Sequence, residues 1–229
     1  MTYNIHRGEG IDGQLNLHRI ASLIQSASPD IVCLQEVDSG QPRSSMLDFP
    51  KIFSELLGMR HAFGDNFHFD GGKYGNAIFT HFPMHVENNY ALSVNFDAEP
   101  RGCLHVKVET AEGSLDVFNT HLSFNDSPRL IQAKEIARVL PQTSTILAGD
   151  LNDTATSPTI EHLYSVLQDS FSAKADETGC TFPSNAPECR IDYVLVSKDI
   201  RVMSSCKLDT PEARLASDHL PWITELELG

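Results

Sequence analysis

The sequence lacks any hydrophobic run that approaches the roughly 18 residues of a membrane-spanning helix. No secretion signal is visible in the given sequence, because the basic, apolar and small-residue segments of a leader do not occur at its start. The chain opens directly on the strand-like TYNI. We therefore expect a cytoplasmic protein by default, or a secreted one if a leader has been removed from the sequence.

Basic residues are scarce, since 17 Lys and Arg stand against 31 Asp and Glu and give a formal net charge of −14. The basic residues that do occur are scattered singly and form no stripe. A protein that binds by neutralising many phosphates needs the opposite balance. Long duplex nucleic acid is therefore a poor expectation as a substrate.

Cysteines are few and widely spaced, and their odd number, five, matches neither a disulfide framework nor a zinc site. Cys33 and Cys103 lie in apolar, strand-like runs and are expected in the core. Cys180 and Cys189 flank the loop TFPSNAPE, where they would pair in an oxidising compartment and stay free in a reducing one. No cysteine or serine stands in a recognisable nucleophile elbow, which favours direct attack by water in any hydrolysis.

Strand-like and helix-like segments alternate without a linker or internal repeat, so we expect one domain over residues 1–229. Apolar periodicity predicts helices over residues 15–27, 49–58, 128–140 and 158–167. Apolar runs predict strands over residues 2–5, 31–37, 76–82, 85–94, 102–110, 114–122, 143–149, 191–197, 202–208 and 220–228. This alternation, mixed with hairpins, predicts an α/β (α+β) protein with two packed mixed sheets covered by helices.

The helix over residues 128–140 has an explicit start signal. Ser127 is the predicted N-cap, and Pro128 occupies the first helical position. The predicted apolar side consists of Leu130, Ile131, Ile136 and Val139.

The stretch ILAGDLND, residues 146–153, ends an apolar strand in two carboxylates and an amide. Asp150 and Asn152 are two residues apart, so on a strand-like backbone their side chains point the same way. Such a pair could hold a metal, a phosphate or a water. The alternative is an ordinary β-turn, because Gly, Asp and Asn are the usual turn residues.

Polar residues stand at the ends of several other predicted strands, where packing does not require them. They are Asn4, His6, Glu36, Asn76, His121, Asp192, Asp218 and His219. Each has a structural alternative: a solvated strand end, a satisfied core histidine, an ion pair between Asp192 and Arg190, or a turn cap. Together they are the residue types that metal-assisted hydrolysis needs.

The residue types predict a division of roles around a phosphate. Magnesium takes oxygen ligands, commonly one or two carboxylates with waters and substrate phosphate. Glu36 is the first candidate ligand, with Asp218 and Asn4 near it. Such an ion neutralises charge on a phosphoryl oxygen and on the leaving oxygen.

The remaining side chains are predicted to act on the phosphate and the attacking water. His121 and Asn152 can donate hydrogen bonds to non-bridging oxygens. His219 can take or hold a proton while Asp192 orients its ring. Asp150 can then align or deprotonate the water.

The motifs TYNIH, LQEV, GNAIF, NTHL, AGDLND, RIDYVLVS and SDHLP resemble those of the endonuclease/exonuclease/phosphatase superfamily. They follow the family order from residue 2 to residue 221 and so cover almost the whole chain. The resemblance implies a four-layer α-β-β-α sandwich of two β-sheets, with the site at one edge. It also implies magnesium or manganese as a cofactor.

Carried over by motif, the resemblance assigns catalytic roles to His121, Asp150, Asn152, Asp192 and His219. It assigns metal-site roles to Asn4, Glu36 and Asp218. Arg129 and Gln132 resemble an Arg-x-x-Gln helix start of the family. Arg43 and Arg101 resemble arginines of smaller bacterial members and, with Asn76, are predicted to bind substrate phosphate.

Two departures from the family bear on the substrate. His6 stands where some nucleases of the family carry a carboxylate, so no metal ligand is expected from it. The chain is also too short for the insertions with which DNA-reading members hold a duplex. The first hypothesis is therefore a metal-dependent hydrolase of phosphodiesters or phosphomonoesters on a small or lipid-derived substrate.

Two alternatives stay open: a DNA or RNA endo- or exonuclease, and a non-catalytic binding module on the same fold. The segment FHFDGGKY, residues 67–74, is either a flap that contacts an apolar or lipid group or a plain surface loop. A phosphoester substrate and a transient contact with membrane lipid are the expected partners. No protein partner is implied.

Overall fold

A computed structural model of the protein describes residues 1–94, 98–171 and 178–228. Within these ranges the chain forms twelve β-strands and five α-helices. The strands are β1 (Thr2–Asn4), β2 (Ile31–Ser39), β3 (Arg60–Phe69), β4 (Gly72–Thr80), β5 (Met84–Leu92), β6 (Arg101–Glu109), β7 (Ser114–His121), β8 (Thr145–Asp150), β9 (Gln168–Asp169), β10 (Asp192–Val196), β11 (Arg201–Lys207) and β12 (Trp222–Glu227). The helices are α1 (Leu17–Ala27), α2 (Phe49–Leu57), α3 (Asp126–Val139), α4 (Pro158–Tyr164) and α5 (Pro211–Ala216).

The strands form two mixed six-stranded sheets, which confirms the predicted fold class. The first sheet has the order β11-β12-β1-β2-β4-β3, and the second has the order β5-β6-β7-β8-β10-β9. Each sheet contains one parallel pair, β1 with β2 and β7 with β8, and the other neighbouring strands run antiparallel.

Three buried apolar clusters separate four layers. The middle cluster joins the inner faces of the sheets, with Cys33 and Ile78 from the first sheet against Leu104, Val117 and Val194 from the second. A second cluster packs α1, α2 and α5 against the first sheet, and a third packs α3 and α4 against the second. The layers are therefore those of the predicted α-β-β-α sandwich.

Helices α1 and α2 begin and end at residues suited to those positions. Asn16 Oδ1 accepts a hydrogen bond from the backbone N–H of Arg19 at 3.0 Å, and Asp48 Oδ1 accepts one from Lys51 at 3.4 Å. These caps satisfy N–H groups that have no partner within the helix. Gly58 ends α2 with φ 66°, in the left-handed conformation that glycine adopts without strain.

Helix α3 differs from its prediction at its start and on its buried side. It begins at Asp126 with Asn125 before it, so Ser127 is not the N-cap. Ile131 is 47% exposed, whereas the buried side carries Arg129, Gln132, Ala133 and Ile136. The prediction of a purely apolar side was wrong because backbone groups and a carboxylate of neighbouring loops satisfy the two buried polar side chains.

The segment FHFDGGKY forms the tip of a β-hairpin rather than a free loop. Strand β3, which no apolar pattern predicted, runs to Phe69, and β4 begins at Gly72. Asp70 and Gly71 form the turn with φ of 49° and 83°, the conformation that an Asp-Gly pair favours between two strands. Strand β3 escaped prediction because RHAFGDNFHF shows no clear alternation of apolar and polar residues.

The remaining predictions have mixed outcomes. Helix α4 ends at Tyr164, before the predicted end at residue 167. Cys33 and Cys103 are buried as predicted, and all five cysteines are free thiols, including Cys180 and Cys189. In the described part of the chain, no helix is long and apolar enough to cross a membrane. A single domain over residues 1–229 stays a prediction.

Candidate active site

Polar side chains from both sheets meet at one edge of the sandwich. In the second sheet, strand register places His121 of β7 beside Asp150 of β8, and Asp150 beside Asp192 of β10. In the first sheet, the parallel pairing of β1 with β2 brings Asn4 and Glu36 to the same edge. Strand ends that are far apart in sequence therefore form one site.

Ser217 joins the segment before β12 to this edge. Its Oγ donates a hydrogen bond to the backbone oxygen of Asn4 at 2.8 Å. The backbone N–H of His219 donates to Ser217 Oγ at 3.3 Å, and the half-buried Asp218 lies beside it with Oδ1 3.3 Å from the same hydroxyl. The last polar motif is thus held against the first strand.

Asp150 lies at the centre of the site and is buried. Its Oδ2 accepts a hydrogen bond from Asn4 Nδ2 at 3.0 Å and lies 3.4 Å from His121 Nε2 and 3.6 Å from His219 Nε2. Its Oδ1 accepts from the backbone N–H of Asn152 at 2.9 Å. Burial raises the pKa of Asp150 to about 7, against the opposing effect of the His219 charge.

Asn4 connects two carboxylates through one amide nitrogen. Its Nδ2 donates to Glu36 Oε1 at 3.1 Å as well as to Asp150. Its Oδ1 accepts from the backbone N–H of His6 at 3.0 Å. The amide therefore presents its hydrogens, not its oxygen, to the carboxylates, and Asn4 as a direct metal ligand stays a prediction.

His219 and Asp192 form a buried ion pair. His219 Nδ1 lies 2.8 Å from Asp192 Oδ2, which also accepts a hydrogen bond from Thr181 Oγ1. Burial alone would lower the pKa of His219, but the carboxylates of Asp192 and Asp150 outweigh it and raise the pKa to about 10. The alternative in which Asp192 pairs with Arg190 is wrong.

His121 is held in one tautomer by its neighbours. Arg101 Nη1 lies 3.1 Å from His121 Nδ1, and because a guanidinium only donates, this nitrogen must accept. The proton of the neutral ring then sits on Nε2, which lies 3.4 Å from Asp150 Oδ2. Asn152 Nδ2 lies 3.0 Å from the same nitrogen but is itself a donor, and it donates to the backbone oxygen of Leu122 at 3.0 Å. Burial, and then the charges of Arg101 and His219, hold the pKa of His121 well below its usual value.

Several residues of the site adopt a backbone conformation that non-glycine residues rarely take. The φ angles are 44° at His6, 54° at Arg7, 58° at Glu36 and 52° at Asn152. Glu36 lies where the pairing of β2 with β4 shifts register between Leu34 and Val37. Such strain concentrates at functional sites, because the surrounding structure must hold it in place.

The segment ILAGDLND combines the two interpretations that its sequence allowed. Gly149 has φ 153°, and a Cβ there would lie 1.9 Å from the backbone oxygen of Thr120, so only glycine fits this close approach. Asp150 accepts from the backbone N–H two residues later, as in an Asx turn. The turn itself therefore presents Asp150 and Asn152 to the site.

The oxygen-rich donor set at this edge fits a hard cation such as Mg²⁺ or Mn²⁺. Asp192 Oδ1 is buried without a hydrogen-bond partner in the described residues, and Glu36 offers a half-buried carboxylate. Asp150, Asp192 and His219 offer ligand atoms that lie within 4.8 Å of one another. Because magnesium prefers oxygen, the carboxylate oxygens of Glu36 and Asp192 are better ligands than the imidazole of His219, which Asp192 Oδ2 already engages.

Three predicted phosphate contacts are engaged with protein groups. Asn76 is buried, and its Nδ2 donates to the backbone oxygen of Gly102 at 3.1 Å, which ties the two sheets together. Arg43 pairs with the buried Asp38, and Arg101 bonds to His121. Their roles in substrate binding stay predictions.

Other residues that support the site were not predicted as part of it. Glu99 Oε1 lies 2.6 Å from Arg101 Nη1, and Thr181 supports Asp192. Arg129 Nε bonds to Asp153 at 2.8 Å and so fastens the segment after Asn152. Of these residues, the Arg-x-x-Gln motif had singled out Arg129, whereas no sequence pattern indicated Glu99 or Thr181.

Comparisons with known proteins agree with this geometry. The model of the endonuclease/exonuclease/phosphatase family matches residues 1–219. The uncharacterized protein YbhP of Escherichia coli K12 is 27% identical over 248 residues, which cover 100% of this chain and 95% of YbhP. An endonuclease/exonuclease/phosphatase from Beutenbergia cavernae has a similar structure, with TM-score 0.82, 24% identity, and coverage of 100% of this chain and 70% of that one. The mannosyl-6-phosphatase of Bacteroides thetaiotaomicron has TM-score 0.71 and 25% identity, with 99% and 98% of the chains covered.

Proposed function

Because the chain belongs to the endonuclease/exonuclease/phosphatase family, whose members are phosphoesterases or nucleases, we propose that it is a divalent-metal-dependent phosphoester hydrolase. It cleaves a phosphodiester or phosphomonoester bond by direct attack of water, on a small or lipid-derived substrate. The observation that carries this proposal is the convergence of Asn4, Glu36, Asp150, Asp192 and His219 at one edge of the sandwich.

Asp150 is the residue that accepts a proton from the attacking water. A pKa of about 7 leaves a substantial fraction of the carboxylate ionised at neutral pH while keeping it basic enough to accept a proton. The hydrogen bonds from Asn4 and from the backbone of Asn152 fix the carboxylate plane. Asp150 is therefore oriented before the substrate arrives.

His219 acts as a proton-bearing cation toward the scissile phosphate. With a pKa of about 10 it is protonated at neutral pH, so it donates rather than accepts. Asp192 holds its Nδ1, which leaves Nε2 to face Asp150 and the phosphate. Charge that develops on the phosphoryl oxygens is stabilised by such a preorganised donor.

His121 and Asn152 serve as neutral hydrogen-bond donors to a non-bridging oxygen. His121 carries its proton on Nε2, and Asn152 Nδ2 lies 3.0 Å from that nitrogen. Two adjacent donors match the two lone pairs of one phosphoryl oxygen. Arg101 positions His121 by donating a hydrogen bond to its Nδ1, on the side of the ring opposite Nε2.

Glu36, Asp218 and Asn4 are the residues that would hold Mg²⁺ or Mn²⁺. When bound, the ion neutralises charge on a phosphoryl oxygen and on the leaving oxygen. Asn4 also supports the site through its amide nitrogen, which keeps the carboxylates of Glu36 and Asp150 apart and oriented.

A small or lipid-derived substrate is favoured over long nucleic acid by the net charge of −14, which repels a polyanion. Similarity to a mannosyl-6-phosphatase supports a compact phosphate-bearing substrate. A transient contact with membrane lipid stays a prediction.

A substrate panel tests the proposal. Plasmid DNA, bis-p-nitrophenyl phosphate, p-nitrophenyl phosphate, sphingomyelin and inositol phosphates are each incubated with Mg²⁺, Mn²⁺ or a chelator. We expect the protein to turn over a small phosphoester. The chelator should abolish this turnover, and the Asp150→Asn variant should not show it. Preferential cleavage of plasmid would make the protein a nuclease. No turnover together with no bound metal would make it a binding module.

A further inference from the structure

Three arginines that are scattered along the sequence lie together around the Glu36 side of the site. We propose that Arg7, Arg43 and Arg101, named here the arginine subsite, bind a second phosphate of the substrate, one that is not cleaved. This inference rests on the proposed hydrolase function and specifies its substrate as a compound that carries two phosphate groups.

Arg7 is held in the site mouth by a strained turn. It adopts φ 54°, and its Nη2 donates to His6 Nε2 at 2.8 Å. Its Nε is buried without a hydrogen-bond partner in the described residues and lies 4.0 Å from Glu36 Oε2. A buried donor without a partner is costly, and a ligand oxygen would satisfy it.

Arg43 is fixed more rigidly than an ordinary surface arginine. Its Nε and Nη2 donate to the fully buried carboxylate of Asp38 at 2.9 Å and 2.6 Å. Its guanidinium lies 4.9 Å from the ring centroid of Phe69 and 5.0 Å from that of Tyr74. Nη1 makes no hydrogen bond to any described residue and 34% of the side chain is exposed, so the free edge is available to a ligand.

Arg101 connects the subsite to the groups that act on the scissile phosphate. Its Nη1 contacts both His121 Nδ1 and Glu99 Oε1, at 3.1 Å and 2.6 Å. Only 12% of the side chain is exposed. A phosphate bound by Arg101 would therefore lie next to His121.

Two carboxylates, Glu36 and Glu99, lie between the arginines: Arg7 Nε is 4.0 Å from Glu36 Oε2, and Arg101 Nη1 is 2.6 Å from Glu99 Oε1. Burial and the nearby charge of Glu36 raise the pKa of Glu99, while Arg101, Arg43 and Arg7 oppose that rise. The ring of Tyr74 contacts Arg43, and burial, followed by the charges of Glu36 and Glu99, raises the pKa of Tyr74. The guanidinium groups thus act on one small region rather than on separate parts of the surface.

The chemistry of the arginine subsite is that of phosphate recognition. Guanidinium groups present paired donors that match phosphate oxygens, and little freedom is lost when they are already oriented. Each arginine has a carboxylate neighbour, so the subsite selects by the placement of donors and not by net charge. A ligand with a single phosphate would leave these donors unused.

Paired substrates that differ by one phosphate test the inference on the full-length chain with Mg²⁺. Fructose 6-phosphate is compared with fructose 1,6-bisphosphate, and adenosine 5′-monophosphate with adenosine 3′,5′-bisphosphate. Vesicles that contain phosphatidylinositol 4-phosphate, which carries a phosphomonoester besides its lipid phosphodiester, are compared with vesicles of phosphatidylinositol. We expect kcat/KM about tenfold higher for the two-phosphate member of at least one pair, the vesicles included, since one charge-assisted hydrogen bond accounts for that ratio.

Arginine variants then locate the source of the preference. Arg7→Met and Arg43→Met should each remove most of the tenfold ratio. Arg201→Met is the matched control, because Arg201 pairs with Glu227 on β12 and lies on the edge strand β11. The subsite would be overturned if the wild-type protein showed equal kcat/KM for both members of every pair. It would also be overturned if the arginine variants lowered kcat/KM equally for the one-phosphate and the two-phosphate substrate. Either outcome leaves the hydrolase intact.

A binding measurement separates the two proposals. The same two-phosphate compounds are titrated calorimetrically into Asp150→Asn, with and without Arg43→Met. If the wild-type protein hydrolyses nothing but binds a bisphosphate in an Arg43-dependent manner, the hydrolase fails and the arginine subsite stands. Absence of binding by every probe at millimolar concentration would refute the subsite.

Discussion

Asp150, Asp192 and His219 form the buried cluster and are almost inaccessible to solvent. Asp150 and Asp192 lie on strands of the second sheet, and His219 lies just before β12 of the first. In the arginine subsite, Arg7 and Arg43 lie on short 3₁₀ turns and Arg101 begins β6, and the side chains of Arg7 and Arg43 are about one third exposed. Burial in the cluster shifts pKa values and fixes geometry, which suits proton transfer. Exposed ion pairs contribute little to stability, so the subsite can vary with the substrate while the fold is retained.

Asp150→Asn should have the largest effect, because it removes the proton acceptor at the centre of the buried cluster. We expect kcat to fall by about four orders of magnitude with little change in thermal unfolding, since the amide keeps the shape of the carboxylate. Glu112→Gln, an exposed carboxylate on the turn between β6 and β7, is the control. An active Asp150→Asn enzyme would mean that the role is misassigned.

Glu36 offers a way to separate function from backbone strain. Glu36→Ala and Glu36→Gly should both lower activity by about two to three orders of magnitude and weaken the dependence on Mg²⁺. Because φ is 58°, the glycine variant should unfold with a free energy about 1 kcal/mol higher than the alanine variant. Chemical denaturation measures the difference, and equal stabilities would show that residue 36 is unstrained.

The pH dependence of kcat tests the proton assignments of the buried cluster. Asp150 must be ionised to accept a proton, so the rate should rise about tenfold per pH unit until it levels near its pKa of about 7. His219 must stay protonated, so the rate should fall again above its pKa of about 10. A profile that rises at the alkaline end would contradict a protonated His219.

Glu99→Gln should have the smallest effect and sharpens the contrast with the buried cluster. It removes one half-exposed ion-pair partner of Arg101, so KM for a two-phosphate substrate should change by about threefold or less. kcat should change less than in any cluster variant. A loss of kcat as large as that of Asp150→Asn would place Glu99 in the chemistry and remove the distinction between the two regions.

Sequence patterns predicted the layers and most strands because buried strands require apolar runs. They failed on α3, where contacts with distant loops make Arg129 and Gln132 core residues, and on β3, whose polar residues pair across a hairpin. The strand-end motifs named Asp150, Asp192 and His219 together. Arg7 and Glu99 carried no comparable signal, because an isolated charged residue is normal on any surface.

The sequence by itself determined which reactive side chains the protein contains and that they lie at strand ends, since the alternation of apolar and polar residues along a strand is a local property. Only the tertiary structure decided that they share one site. Asn4 and Asp150 are 146 residues apart in the chain and 3.0 Å apart in space. The pKa values, the tautomer of His121 and the assembly of three arginines follow from burial and from long-range contacts, which no local pattern contains.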